Sequence, residues 1–162
     1  MNPNAIRPIA ICVFRHDGRI LVAEGHEPLT QQRFYRPLGG AIEFGERSAD
    51  TLVRELQEEL GATVTDLHYL GTLENVFTYN GQTGHEIVLV YDGAFADPTF
   101  YERSQIDGVE DSGVRFRAVW LVLADCRRPA APPVYPTGLL ELLEKSDAET
   151  QRTPSMSHPE FR

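Results

Sequence analysis

Hydrophobic and polar positions along this chain follow two different periods, and the changes of period mark its elements. Ile9 to Phe14 (I-A-I-C-V-F) is an unbroken apolar run and reads as a buried strand. His16-Asp17-Gly18-Arg19 is a turn, and Ile20 to Ala23 returns as a second strand, so the two form a hairpin. Glu24 to Gln32 is polar, contains Pro28 and reads as a loop. Arg33 to Leu38 is a short extended segment, because the residue before Pro37 is biased that way, and Ala41 to Glu43 adds another short strand. From Ser48 to Leu60 the period becomes helical. No Gly or Pro interrupts the run, Ala49, Leu52, Val53, Leu56 and Leu60 share one face, and Gly61 is a natural stop.

Beyond the helix the pattern returns to strands. Val64 to Tyr79 mixes β-formers with polar residues, Gly71 marks a bulge or bend, and Asn80-Gly81 signals a hairpin turn. His85 to Phe95 is the returning strand. Asp97 to Gly113 reads as a long surface loop, of a length that often carries function. Arg115 to Leu123 is a last strand, Arg127 to Pro136 a Pro-rich connector, and Thr137 to Lys145 an amphipathic closing helix. Ser146 to Arg162 is polar and reads as a disordered tail, which leaves one domain over residues 1–145. Strands on either side of one helix, with a second helix at the end, predict an α/β fold: a mixed sheet with a helix on each face.

The polar face of the first helix changes the picture from fold to chemistry. Glu55, Glu58 and Glu59 are spaced i, i+3, i+4 and cluster on one side. Exposed like charges at this spacing repel by roughly 0.2–0.5 kcal/mol per pair. A divalent cation reverses the sign of that interaction, and hard carboxylate oxygens suit Mg²⁺ or Mn²⁺. The stretch has no Cys or His, so a structural zinc site is not indicated. A solvated acidic face is the competing reading, and the flanking residues weigh against it. Gly39-Gly40 permits a tight turn and close backbone approach to a metal, and Arg54 is placed to pair with Glu46 and brace the loop.

Residues 40–62 resemble the Nudix box, G-x5-E-x7-R-E-U-x-E-E-x-G-U with U a bulky aliphatic. Gly40 opens it, Glu46 follows, then Arg54-Glu55, Leu56, Glu58-Glu59 and Gly61; the one departure is Ala62, at a position that packs rather than reacts. The order of strands and loops around the box is similar to the family over most of residues 5–145. The resemblance implies an α/β/α sandwich and a metal-dependent hydrolase of diphosphate linkages. It implies that Glu55, Glu58 and Glu59 hold Mg²⁺ (or Mn²⁺), that Glu46 and Arg54 brace the loop, and that Gly40, with Gly39, offers its backbone to metal or phosphate. Metals would neutralise phosphate oxygens and activate a water for in-line attack. The substrate would be a nucleoside diphosphate linked to another group. A non-catalytic nucleotide-binding or regulatory module is the alternative, which expects lost glutamates; isomerase chemistry on a diphosphate ester is a third. Homodimers are frequent in the family.

Other residues invite roles around that box. Arg33 and Arg36 precede the glycine pair and suit phosphate or ribose contacts, with ordinary surface charge as the alternative. Phe34, Tyr35, Phe77 and Tyr79 offer rings for base stacking or for the core. A tyrosine at about the distance of Tyr79 beyond the box is associated with dinucleoside polyphosphate substrates in the family, while the longer signatures of the NADH- and coenzyme A-cleaving branches are not seen. Glu86 reads as a solvent-facing strand residue; its functional alternative is an extra carboxylate for metal or proton transfer, a job for which Glu110 and Asp111 compete. His85 reads as a strand-end histidine with a backbone partner, or else as a phosphate contact or proton donor.

Charge and cysteines narrow the setting. The formal net charge of −9 argues against a general nucleic-acid or anionic-membrane binder, which would show a basic stripe, yet leaves room for an anionic small substrate at a metal. Cys12 and Cys126 have no metal-site spacing and require no disulfide. The first residues lack an apolar signal core and no apolar run approaches membrane-spanning length, so a cytoplasmic protein is expected.

Overall fold

The computed structural model describes residues 4–152. Its strands are β1 (Arg7–His16), β2 (Arg19–His26), β3 (Arg33–Arg36), β4 (Leu38–Ala41), β5 (Val64–Tyr79), β6 (Gln82–Phe95), β7 (Gln105–Val109) and β8 (Arg115–Val122); the helices are α1 (Ser48–Leu60) and α2 (Leu139–Arg152). The sheet runs β5-β6-β1-β2-β8-β7, with β3 added beside β2 and β4 beside β1. Only β1 and β6 pair in parallel; the remaining named pairs are antiparallel.

Strand β1 explains the sandwich. Its apolar run is buried on both faces. Ala10, Cys12 and Phe14 join the core under α1 with Leu52 and Leu56, whereas Ile9, Ile11 and Val13 join a second core with Leu139 and Leu143 of α2. Burying each of those helix leucines contributes about 1.5–3 kcal/mol, so each helix is fixed by its own apolar stripe on opposite sides of one central strand. This is the expected α/β/α sandwich.

Strands β1 and β2 pair only where their hairpin turns, at Arg15 with Ile20 and His16 with Arg19. Past that point β1 goes to β4 and β2 to β3. The sheet is therefore two halves, β5-β6-β1-β4 and β3-β2-β8-β7, joined at the hairpin base. A cleft of about 1140 Å³ opens between them.

Several elements differ from the sequence reading. Residues 97–113 are not one surface loop: they hold a 3₁₀ turn at Pro98–Tyr101 and strand β7. That turn is started by the Asp97 carboxylate accepting the Thr99 N–H, and Phe100 buries beneath it. Gly39 and Gly40 form no tight turn; they lie in β4, opposite Ile11 and Ala10, and the extended segment expected at Ala41–Glu43 ends at Ala41. Helix α2 continues past Lys145 to Arg152, because Ala148, Glu149, Gln151 and Arg152 are good helix formers and Arg15 pairs with Asp147. The tail expected to be disordered is thus helical as far as residue 152, and residues 153–162 lie outside the described part of the chain. The Asn80-Gly81 turn forms as read, with both residues at positive φ (51° and 73°), and the ladder shifts register between Tyr69 and Gly71.

Candidate functional site: an acidic helix face at the end of an aromatic cleft

Helix α1 starts at Arg47, which has extended backbone and no side-chain cap, and ends at Gly61 with φ 64°. The Gly61 N–H reaches the Gln57 carbonyl and the Ala62 N–H reaches Leu56, which closes the last turn. Ala62 is fully buried there, where a larger side chain would need room.

The centre of the box is Arg54. Its Nε donates to Glu46 Oε1 at 2.8 Å, and its Nη2 to Glu46 Oε2 at 3.0 Å, a two-pronged pair. Nη2 also reaches the Ala41 carbonyl at 3.2 Å, and Nη1 donates to Glu55 at 3.0 Å and Glu58 at 3.3 Å. Glu46 is fixed further by the Thr51 hydroxyl at 2.7 Å and the Glu43 N–H at 3.2 Å. Arg54 and then Thr51 hold the Glu46 carboxyl down at about 2. One guanidinium therefore ties the residue 43–46 loop, the end of β4 and the acidic helix face into a single body.

The glycines are there for close approach. A side-chain carbon at Gly40 would lie 2.3 Å from the Glu55 carboxyl, and one at Gly39 would lie 2.0 Å from the Ala10 carbonyl oxygen. Glu55 is 4% exposed, and burial pushes its carboxyl up against the opposing pull of Arg54. Glu59 is half-buried, and its carboxyl is pushed up to about 8, first by burial and then by the charges of Glu55, Glu110 and Asp111; Arg36 acts in the opposite sense.

Carboxylate oxygens of Glu55, Glu58 and Asp111 lie within 4.8 Å of one another. Asp111 comes from the tip of the β7–β8 hairpin, closed by the Glu110 N–H to Val114 carbonyl bond at 2.8 Å. An all-carboxylate set of this kind fits a small hard dication. Among the box glutamates expected as ligands, Glu55 and Glu58 converge, while Glu59 stands beside the group and is coupled to it by charge.

The cleft adjoins this face through Arg36, Asp107 and Glu110 and runs inward to an aromatic end. There Phe34 makes edge contacts with Tyr79, at 6.4 Å between centroids, and with Tyr135, at 5.7 Å. Phe34, Phe77 and Phe116 each lie across a glycine of the paired strand, Gly25, Gly84 and Gly108 respectively. Those glycines let the rings lie flat along the cleft wall. Tyr35 instead faces the α2 core, and Arg33 sits opposite His26 at the far end of β3, outside the cleft lining. His85 also lies outside the lining, with Nε2 3.8 Å from Glu74 Oε1; among the described residues Nε2 has no hydrogen-bond partner, so the expected backbone bond is not seen there.

Glu86 is not solvent-facing. It is 7% exposed, lines the cleft and lies directly across from Asn75 of β5, itself 4% exposed. The reason is strand parity: Glu86 shares a face with the buried Val88 and Val90, a phase that the start of a strand does not announce. Asn75, Phe116 and Tyr135 were not singled out by the sequence. Tyr135 reaches the cleft because residues 133–135 run along β3, with bonds from the Tyr35 N–H to the Pro133 carbonyl and from the Tyr135 N–H to the Tyr35 carbonyl.

With the sandwich, the braced acidic helix and the cleft in place, the class is defined: residues 5–138 match the NUDIX domain model, and the chain belongs to the Nudix (MutT-like) hydrolase family. The chain is 29% identical over 108 residues to the NAD-capped RNA hydrolase NudC of Mycobacterium tuberculosis (strain H37Rv), covering 62% of this chain and 34% of that protein. It is 27% identical over 135 residues to NudC of Vibrio parahaemolyticus, covering 83% of this chain and 44% of that protein. The chain thus spans between a third and a half of the length of these curated relatives. Among solved structures it is similar to a NUDIX hydrolase from Nitrosomonas europaea (TM-score 0.60, 21% identity, 90% of each chain). It is also similar to a MutT NUDIX hydrolase from Burkholderia pseudomallei (TM-score 0.59, 23% identity, 87% of this chain and 98% of that one). At such identities these structures speak for the fold. Among the described residues no helix is long and apolar enough to cross a membrane.

Proposed function

We propose that this chain is a divalent-metal-dependent pyrophosphohydrolase acting on a nucleoside diphosphate linked to another group. The observation that carries the reading is the convergence of the Glu55, Glu58 and Asp111 carboxylates beside a cleft of about 1140 Å³. Glu59 completes the acidic set. Its burial and the neighbouring Glu55 make its charge costly until a cation offsets both. Glu55, Glu58, Glu59 and Asp111 would hold Mg²⁺ or Mn²⁺, with the Gly40 backbone close by. When bound, the cation would neutralise phosphate oxygens and lower the pKa of a water.

The chain's own part is positional. Arg54 and Glu46 keep the loop and the helix face in one geometry, so that the carboxylates need no rearrangement as a diphosphate arrives. Arg36, at the junction of cleft and acidic face, is the cation placed to meet a phosphate. Tyr79, Phe34 and Phe77 supply flat apolar surface for a base. The intact set of Glu46, Arg54, Glu55, Glu58 and Glu59 speaks against a purely binding module. Cys12 and Cys126 are free thiols, which suits a cytoplasmic setting.

The test is a hydrolysis panel with product identification. Nucleoside triphosphates, ADP-ribose, nucleotide sugars, dinucleoside polyphosphates and NAD are incubated with Mg²⁺, with Mn²⁺ and with a chelator; NAD enters because the curated relatives are NAD-capped RNA hydrolases. Metal-dependent release of a nucleoside monophosphate from one class is the expected result. Silence across the panel from folded, metal-binding protein would overturn the hydrolase reading.

A further inference from the structure

The aromatic end of the cleft contains polar groups that the acidic face does not use. Glu86 and Asn75 are cross-strand neighbours on β6 and β5, both more than nine-tenths buried, and both line the cleft. The Asn75 Oδ1 is occupied, accepting the Thr137 N–H at 3.3 Å. That fixes the amide so that its NH₂ remains available to the cleft. The Glu86 carboxylate has no side-chain hydrogen bond or ion pair among the described residues, and Arg7, its register partner on β1, forms none with it. The Glu86 oxygens are not among the buried unpaired atoms of the described residues, so they open into the cleft, where a ligand's N–H groups would meet them. The fold keeps Glu86 on a strand interior, where an apolar side chain would pack beside Val88.

We propose that Glu86 and Asn75 read the base of the substrate, and that the base is guanine. The inference deepens the reading of the cleft as a nucleotide site and names the nucleotide. The argument is one of donor and acceptor order. A carboxylate presents two acceptors and binds best to two adjacent N–H groups. Next to it, the free Asn75 NH₂ presents a donor. The complementary edge is two adjacent donors followed by an acceptor, which is the N2–H, N1–H and O6 edge of guanine. Adenine would turn its N1 lone pair toward the carboxylate. Cytosine would bring two acceptors, and uracil one donor flanked by two carbonyls. Phe77, which precedes Tyr79 on the same face of β5 and lies over Gly84, sits one cross-strand row from Asn75 and Glu86 and gives the ring plane a surface to stack on.

The experiment uses nucleoside monophosphates, which carry the base and no scissile diphosphate. Binding of GMP, IMP, AMP, CMP and UMP to the full chain is measured by calorimetry without hydrolysis. GMP is expected to bind at least about 10-fold more tightly than AMP or either pyrimidine, since a buried group left unpaired by the wrong base discriminates strongly. IMP, which keeps N1–H and O6 but lacks the N2 amine, falls between. In Glu86→Gln one acceptor becomes a donor facing a donor, so the GMP-to-AMP ratio collapses toward one; the near-isosteric change is checked for an unaltered melting temperature. Equal binding of GMP and AMP by the native chain overturns the inference, as does a Glu86→Gln variant that keeps the preference. Tighter binding of CMP or UMP overturns it too. The outcome is independent of the hydrolysis panel. Base preference without turnover would sink the hydrolase reading alone, and turnover without base preference would sink this inference alone.

Discussion

The acidic helix face and the cleft beside it are built by opposite means. On the acidic face one cation holds several charges: Arg54 grips Glu46 with two nitrogens and reaches Glu55, Glu58 and the Ala41 carbonyl as well. At the aromatic end the rings lie over glycines of neighbouring strands, and the Glu86 carboxylate has no hydrogen bond or ion pair from a side chain among the described residues. One end is braced within the protein by a single guanidinium, whereas the other has no such brace on the polar groups that face its cleft. On the proposed reading, the groups that would break the bond and those that would choose the base rest on separate supports, so each should be removable without the other.

The largest expected effect is at the acidic end. Glu58→Gln or Glu59→Gln should cut kcat by several orders of magnitude while GMP binding persists. Metal-free Glu59→Gln should melt no lower than the native chain, because burial and Glu55 already make that carboxylate's charge unfavourable. Thermal melts beside single-turnover rates check both halves. Near-normal turnover with Mg²⁺ in either variant would remove these glutamates from the metal set. Loss of GMP binding together with turnover would break the separation of the two ends.

A smaller effect is expected from Gly40→Ala. The added methyl carbon would sit 2.3 Å from the Glu55 carboxyl, so that carboxylate must swing away from Arg54 and its neighbours. A displacement of about 1 Å in a positioned group costs on the order of 100-fold in rate, and kcat should fall on that scale. Nucleotide affinity at the far end should change little. An unchanged kcat would show that Glu55 does not need this position.

How far the sequence disclosed this arrangement follows from the same contrast. Glu46, Arg54, Glu55, Glu58 and Glu59 come from one loop and helix, where 3.6-residue periodicity fixes which side chains meet. The buried β1 run was equally legible, since I-A-I-C-V-F has no polar phase to hide. The cleft wall was not. Whether Glu86 points in or out depends on the phase of β6, which its apolar run hides, and which residue it meets depends on a β5 ladder that shifts register near Gly71. Strand β7 (Q-I-D-G-V) is short and half polar; it exists because Phe116 of β8 covers its glycine, a cross-strand contact invisible to local propensity. The hairpin it starts is what delivers Asp111 to the helix. Likewise α2 outruns its last leucine because helix formers continue after the apolar stripe ends.

The smallest expected effect tests whether the aromatic end has a support of its own. Glu27 lines the cleft and clamps two loops. Its Oε2 accepts the Leu29 and Thr30 N–H groups at 2.8 and 2.6 Å, and its Oε1 accepts the Asn80 N–H at 2.6 Å, next to Tyr79. Those bonds, led by Thr30, hold its carboxyl below the ordinary value of 4.5. A depressed folded value means that the ionised clamp stabilises the chain above the unfolded pKa, and that this contribution is lost as pH falls through the folded one. Glu27→Gln keeps the shape but not the charge. It should melt slightly below the native chain at pH 7, and the gap should close as pH drops below about 4.5. Because the clamp holds the hairpin that carries Tyr79, KM should rise a few-fold, with a much smaller change in kcat. A fall in kcat as large as that from Gly40→Ala would mean that the hairpin and the acidic helix are one mechanical unit after all.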